Sequence, residues 1–231
     1  MTAPPFHIVF ALFPGVTQLD FTGPLQVFSR LPSVRITLAS AAGGALDADG
    51  LPLAGLARLE DVESCDLLCV PGGAGASDQL GDLVLLRELA RLAGGARYVT
   101  SVCTGSILLA GAGLLAGRRA ACHWAWRGLL DRFPGVTSDP GRVVRDGNVI
   151  TGGGVTAGID FALVVAAEVF GAEIAQAVQL TLEYAPAPPF DAGRPETAPA
   201  HVRAVVEARL ATQVAVREAA VDAHVRRLQR R

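Results

Sequence analysis

Tyr98-Val99-Thr100-Ser101-Val102-Cys103-Thr104-Gly105-Ser106 is the stretch that decides the fold. Arg97–Val102 (RYVTSV) is rich in β-branched and aromatic residues and reads as a strand. A helix is expected over 104–116, with no loop between the two. Cys103 therefore lies at a strand-to-helix elbow, the turn that pushes a side chain out at the carboxyl edge of a parallel sheet. Outward from this point the same alternation repeats. Phe6–Leu12 (FHIVFAL), Val34–Ser40 (VRITLAS) and Asp66–Val70 (DLLCV) read as strands, the first and third stopped by Pro-Gly. Helices are expected over 25–31, opened by Pro24 at its first position, and over 82–93. Residues 43–56 read as a hairpin or loop. Downstream come a strand at 119–123, a helix at 124–133 and two strands within 142–151 about Asp146-Gly147-Asn148. Helices over 155–170 and 172–182 complete the series. Short strands separated by helices predict a doubly wound α/β sandwich, mostly parallel and flavodoxin-like.

Tyr184–Pro199 carries prolines at 186, 188, 189, 195 and 199 and cannot be regular structure. Beyond it, Val202, Val206, Leu210, Val214, Val221, Val225 and Leu228 recur at mostly helical spacing. Residues 1–184 are thus expected to form one α/β unit. Residues 185–231 add a connection and a long amphipathic helix, which packs on its own unit or embraces a second subunit.

Composition excludes several function classes. With 51% hydrophobic and 18% charged residues, the 231-residue chain is globular. A net charge of −2 leaves no basic field for nucleic acid or an anionic membrane. All 20 basic residues are arginine. Without lysine there is neither a Schiff base nor a P-loop. The 4 cysteines form no disulfide framework. Met1–Phe6 has no basic or apolar leader pattern. The longest nearly apolar runs, 107–116 and 161–167, fall short of the ~20 residues a membrane span needs. A reduced, cytoplasmic chain is expected.

Cys103 is the candidate nucleophile, because a thiol at a helix N-terminus is biased toward thiolate. Cys65, Cys69 and Cys122 read as small buried hydrophobes. Gly72 and Gly73, after the third strand, offer backbone N–H groups that could balance negative charge on a substrate; a plain turn reads equally well. Asp20, among apolar neighbours, reads either as a proton-exchanging carboxyl with a raised pKa or as the N-cap of the next helix. His123 either activates Cys103 or packs beside Trp124. No cluster has metal-ligand spacing, so no metal is expected.

At these residues the chain resembles the ThiJ/PfpI-like class I glutamine amidotransferase superfamily, in its isocyanide (isonitrile) hydratase branch. The resemblance rests on QLDFTGP (18–24), VPGGAG (70–75), YVTSVCTGSILLAGAGLL (98–115), ACHWAW (121–126), RVVRDGNVITGGGVTAGIDFAL (142–163) and QLTLEYAPAPPFDAGRPETAPA (179–200). It implies Cys103 as nucleophile, Asp20 as acid/base and Thr104 as the neighbouring hydrogen-bonding residue. It also implies a homodimer. Thr104 stands where PfpI-type proteases place histidine. The 31 residues after Ala200 are too few for the paired helix-turn-helix units of related regulators. The activity implied is hydration of an isonitrile to an N-substituted formamide through a cysteine thioimidate, with no cofactor. The Gly152–Val155 loop, including Gly153 and Gly154, is expected to wall the pocket and favour an apolar substituent. The alternatives are another thiol chemistry, such as glyoxal conversion, and a thiol stress sensor.

Overall fold

The computed structural model describes residues 4–230. Residues 1–3, where the leader reading begins, and residue 231 lie outside them. Among the described residues, ten strands and six α-helices follow one another. In chain order they begin β1 (Phe6–Leu12), α1 (Gln18–Phe28), β2 (Val34–Ser40), β3 (Gly44–Ala48), β4 (Leu51–Arg58), β5 (Leu67–Val70), α2 (Leu83–Gly95) and β6 (Tyr98–Val102). After them come α3 (Gly105–Gly111), β7 (Arg119–Ala121), β8 (Thr137–Asp139), β9 (Val143–Asp146) and β10 (Val149–Gly152). The chain closes with α4 (Ala157–Phe170), α5 (Ala172–Thr181) and α6 (Ala200–Leu228).

Eight strands form one sheet in the order β3-β4-β2-β1-β5-β6-β10-β9. The six from β4 to β10 run parallel, and the edge strands β3 and β9 are antiparallel to their neighbours. Strands buried on both faces need continuous apolar runs. β1 and β5 meet that demand, with Ile8 to Leu12 and Leu67 to Val70 all buried. The chain passes from β1 to β2 on one side and returns to β5 on the other. Strand order therefore reverses at β1/β5, the place where doubly wound sheets open a ligand crevice. The carboxyl ends of β1, β5, β6 and β10 lie side by side there. The expected sandwich is the observed one.

Several local expectations change. α1 starts at Gln18, not at 25, and Pro24 lies inside it. A proline there withholds the N–H that the Asp20 carbonyl would accept. Gly158 of α4 leaves room for the Pro24 ring where the two helices meet. α3 ends at Gly111 rather than 116, since Gly113 turns left-handed at φ +78. The strand expected over 119–123 shortens to β7, which pairs with β8, a three-residue strand the pattern did not signal, outside the main sheet. The helix expected over 124–133 is a 3-10 segment, Arg127–Arg132. The 43–56 segment is the β3–β4 hairpin.

The long C-terminal helix is present as α6. Arg217, Val221, His224 and Val225 in its second half are buried. They face the 3-10 turns Ala74–Gly81 and Arg127–Arg132, and Arg132 pairs with Glu218 at 3.0 Å and Asp222 at 2.6 Å. This half packs on its own unit. The first half is largely exposed. Among the described residues no helix is long and apolar enough to cross a membrane.

Candidate active site

Four strand ends supply the site. Cys103 follows β6 directly with φ +57, a left-handed conformation that costs energy for any side chain and marks a constrained turn. Two backbone acceptors hold it. The Cys103 N–H lies 3.0 Å from the Gly152 carbonyl and 2.8 Å from that of Gly153, both at the end of β10. Gly105 follows because a Cβ there would press on the Val70 and Pro71 carbonyls. The elbow thus stands as read from the sequence.

Asp20 reaches Cys103 from α1. It is the third residue of that helix, and its N–H donates to the Thr17 carbonyl at 3.1 Å. The N-cap alternative is excluded: Thr17 holds that position. The side chain is fully buried. Its Oδ2 accepts the Gly72 N–H at 2.9 Å, its Oδ1 has no partner, and the Cys103 thiol is a neighbour that acts on its protonation. Burial lifts the pKa from 3.8 to about 7, outweighing the Gly72 hydrogen bond and the Cys103 thiol, which pull it down.

The sulfur differs from expectation. Cys103 is 6% exposed, and burial pushes its thiol well above the ordinary value, with the Asp20 charge adding to the rise. Backbone N–H groups of Thr104 and Val155 oppose the shift, but they do not overcome it. The amino end of α3 does not outweigh that burial. The resting pair is a protonated thiol beside a carboxyl poised near neutrality.

Gly72 and Gly73 have another task than the one expected. Their N–H groups are not free for a substrate. Gly72 donates to Asp20, and Gly73 donates to Thr104 Oγ1 at 2.9 Å. Thr104 Oγ1 in turn lies 3.2 Å from the Gly73 carbonyl, which it donates to. The loop after β5 thereby clamps the acid and the residue following the elbow. Only glycine fits at 72, because a Cβ would lie 2.5 Å from the Thr104 nitrogen and 2.8 Å from Asp20 Oδ2. The amides that meet the sulfur, Thr104 and Val155, had no signature in the sequence, since N–H direction depends on the assembled turn.

His123 does not pair with Cys103 among the described residues. Its Nδ1 accepts the Ala125 N–H at 3.2 Å, its ring lies against Trp124, and Gly154 packs on its edge. Burial lowers its pKa, so it rests neutral. Gly153 and Gly154 line a cleft of about 210 Å³ with Cys122, His123 and Val155. Arg127, Arg142, Arg194 and Glu196 complete this cleft, which Cys103 and Asp20 do not line. Arg142 pairs with Asp160 of α4, and the Tyr184 hydroxyl donates to the same carboxylate at 2.8 Å. That network ties the proline-rich segment to the cleft. No group of three His, Cys, Asp or Glu side chains that could hold a metal ion occurs among the described residues.

Comparison with known proteins agrees with this architecture. The isonitrile hydratase of Pseudomonas putida is 49% identical over 221 residues, covering 93% of this chain and 96% of that protein. A ThiJ/PfpI family protein from Pseudomonas syringae superposes with a TM-score of 0.90 at 37% identity, covering 94% of this chain and 90% of that one. Drosophila melanogaster DJ-1beta gives a TM-score of 0.70 at 26% identity over 79% of this chain and all (100%) of its own. Residues 7–168 match the DJ-1/PfpI family, and the chain belongs to it.

Proposed function

We propose that the chain is an isonitrile hydratase that converts isonitriles to N-substituted formamides. One observation carries the substrate class: 49% identity to such an enzyme along nearly the whole of both chains. The Cys103–Asp20 pair supplies chemistry that suits it. An isonitrile, R–N≡C, must gain a nucleophile and a proton on the same terminal carbon. Ionised Asp20 takes the thiol proton as the substrate enters, and passes it to that carbon while the sulfur attacks. The product is the thioimidate R–N=CH–S–Cys103. Water then adds to the C=N carbon, its proton relayed through Asp20 to nitrogen, and the C–S bond breaks. The thiol is regenerated and R–NH–CHO leaves. Every atom comes from substrate, water or the two side chains.

The geometry supports each role in this scheme. The buried carboxyl sits near neutrality, where a group that both accepts and donates a proton works best. The amides of Thr104 and Val155 stabilise the sulfur whenever it carries charge. Thr104 Oγ1 holds the Gly73 amide, so the clamp on Asp20 keeps its shape. Parallel incubation with an aryl isonitrile and with methylglyoxal tests the reading. Formamide release with no loss of methylglyoxal is expected, and the opposite pattern refutes it.

The appendage over 185–231 serves a homodimer in this proposal. The first half of α6 exposes Val202 by 39% and Val205 by 51%, with Val216 at 60% further along, an apolar face that a second copy would cover. Sedimentation is expected to find a dimer at micromolar concentration; a monomer throughout that range contradicts it.

A further inference from the structure

We propose that the cleft between the proline-rich segment and the amino end of α4 is a binding site for one carboxylate group, gripped by Arg127 and Arg194. The carboxylate belongs either to the substituent of the isonitrile or to a separate acid. The site stands apart from the hydratase reading above; its use by a substrate rests on that reading.

Three guanidiniums reach this cleft of about 210 Å³ from three separate segments. Arg127 opens the 3-10 segment after β7, Arg142 directly precedes β9, and Arg194 comes from the proline-rich stretch. Arg142 is neutralised by Asp160, and its Nη2 donates to Thr156 Oγ1 at 3.3 Å. Arg127 and Arg194 form no ion pair among the described residues, and neither does Glu196, the one carboxylate that lines the cleft. Two free cations against one free anion leave a net charge of +1, which a single carboxylate balances and a phosphate dianion overshoots. A guanidinium fork fits a carboxylate through two parallel N–H groups.

The backbone suits the same ligand. Among the described residues the N–H groups of Gly154 and Thr156, both on the cleft wall, have no backbone acceptor. They lead into α4, whose amino end adds partial positive charge and whose N-cap residue, Thr156, makes no side-chain cap. The segment that carries Arg194 is held in place. The Tyr184 hydroxyl donates to Asp160 at 2.8 Å, and the Thr197 and Ala198 N–H groups close on the Arg194 carbonyl at 3.2 and 2.9 Å. The cleft also adjoins the nucleophile through the backbone. Gly153 lines it, and the Gly153 carbonyl accepts the Cys103 N–H at 2.8 Å. The loop that holds Cys103 is therefore the wall of the cleft. A substrate substituent lying over that loop would bring a carboxylate to the arginines.

Benzoate titration followed by tryptophan fluorescence tests the site without any isonitrile, since Trp124 lines the cleft and is one of 2 tryptophans. A saturable change is expected with benzoate and not with benzamide. Arg127→Gln and Arg194→Gln are each expected to weaken benzoate binding about tenfold, and Arg127→Lys and Arg194→Lys to keep most of it. A second arm compares para-isocyanobenzoate with phenyl isonitrile as substrates. If the carboxylate is the substrate's own, kcat/KM favours para-isocyanobenzoate by about tenfold, and the Gln variants remove that preference through KM. Equal kcat/KM for the two, with benzoate binding that depends on the arginines, assigns the cleft to a separate acid. Benzoate that binds no better than benzamide, together with no preference between the isonitriles, overturns the proposal. So does an affinity or a preference that both Gln variants leave intact. Arginine-dependent benzoate binding in a protein that hydrates neither isonitrile would instead overturn the hydratase reading and leave the carboxylate site standing.

Discussion

Cys103→Ala is expected to abolish isonitrile turnover, a loss of about 10⁴-fold or more. In the proposed scheme the sulfur is the atom that bonds to the isonitrile carbon, and nothing near it can substitute. Cys69 lies within β5 and Cys122 just past β7, and neither stands at the strand-to-helix elbow, so neither replaces Cys103. His123 is held by the Ala125 amide and the Trp124 ring. Asp20 alone could offer only proton transfer to bound water. The fold is expected to survive, because a smaller side chain at φ +57 keeps its two backbone bonds to Gly152 and Gly153. Steady-state formamide release, with circular dichroism as a check on folding, measures this. Turnover within tenfold of wild type would remove Cys103 from the mechanism.

Asp20→Asn has the second-largest expected effect, and it acts in opposite directions on activity and stability. Loss of the proton relay is expected to cost 10²–10⁴-fold in kcat/KM, the usual range for general acid–base assistance. Wild-type kcat/KM should rise with pH up to about 7, as Asp20 loses the proton that blocks it from accepting one from the thiol. Asparagine should flatten that rise. Stability follows from the same shift. The folded pKa of about 7 lies above the ordinary value of 3.8, so the folded chain holds the Asp20 proton more tightly than the unfolded chain does. The associated stability is fully present below pH about 4 and is lost as pH rises through about 7. A shift of about three units corresponds to about 4 kcal/mol. Asparagine cannot ionise, so the variant should out-melt wild type at pH 8 by up to that amount and lose the advantage at pH 4. Denaturant titrations at the two pH values decide it. Equal stability of both proteins at pH 8 would mean that Asp20 is not held near neutrality.

This opposition is the physical signature of the site. The carboxyl is retained although it destabilises the fold at neutral pH, and the Gly72 amide offsets only part of that cost. Sites that keep an unfavourable group in place are those where chemistry, not packing, sets the residue.

How far the sequence revealed this depends on how local each cause is. The elbow at Cys103 was legible because strand, nucleophile and helix are contiguous, and Gly105 marks the close approach to Val70. Asp20 was legible as a candidate from its apolar neighbours, but its helix was not. Pro24 looked like a first helical residue, whereas α1 begins at Gln18 and runs through it. The glycines at 72 and 73 were found for the wrong reason. Their amides serve Asp20 and Thr104, and the direction of an N–H depends on how separate strand ends meet. β8 carries too few residues to show a period. Arg217 left a signal that periodicity alone passes over. The apolar stripe Leu210, Val214, Val221, Val225 has a gap at its inward-facing slot, and an arginine fills it.

The most direct test of the Cys103–Asp20 scheme is mass spectrometry of the protein mixed with an aryl isonitrile and quenched within a turnover. The scheme predicts a mass gain equal to one intact isonitrile, localised to the peptide bearing Cys103 and absent in Cys103→Ala. Formamide release with no adduct at any quench time, or an adduct on another residue, would contradict it.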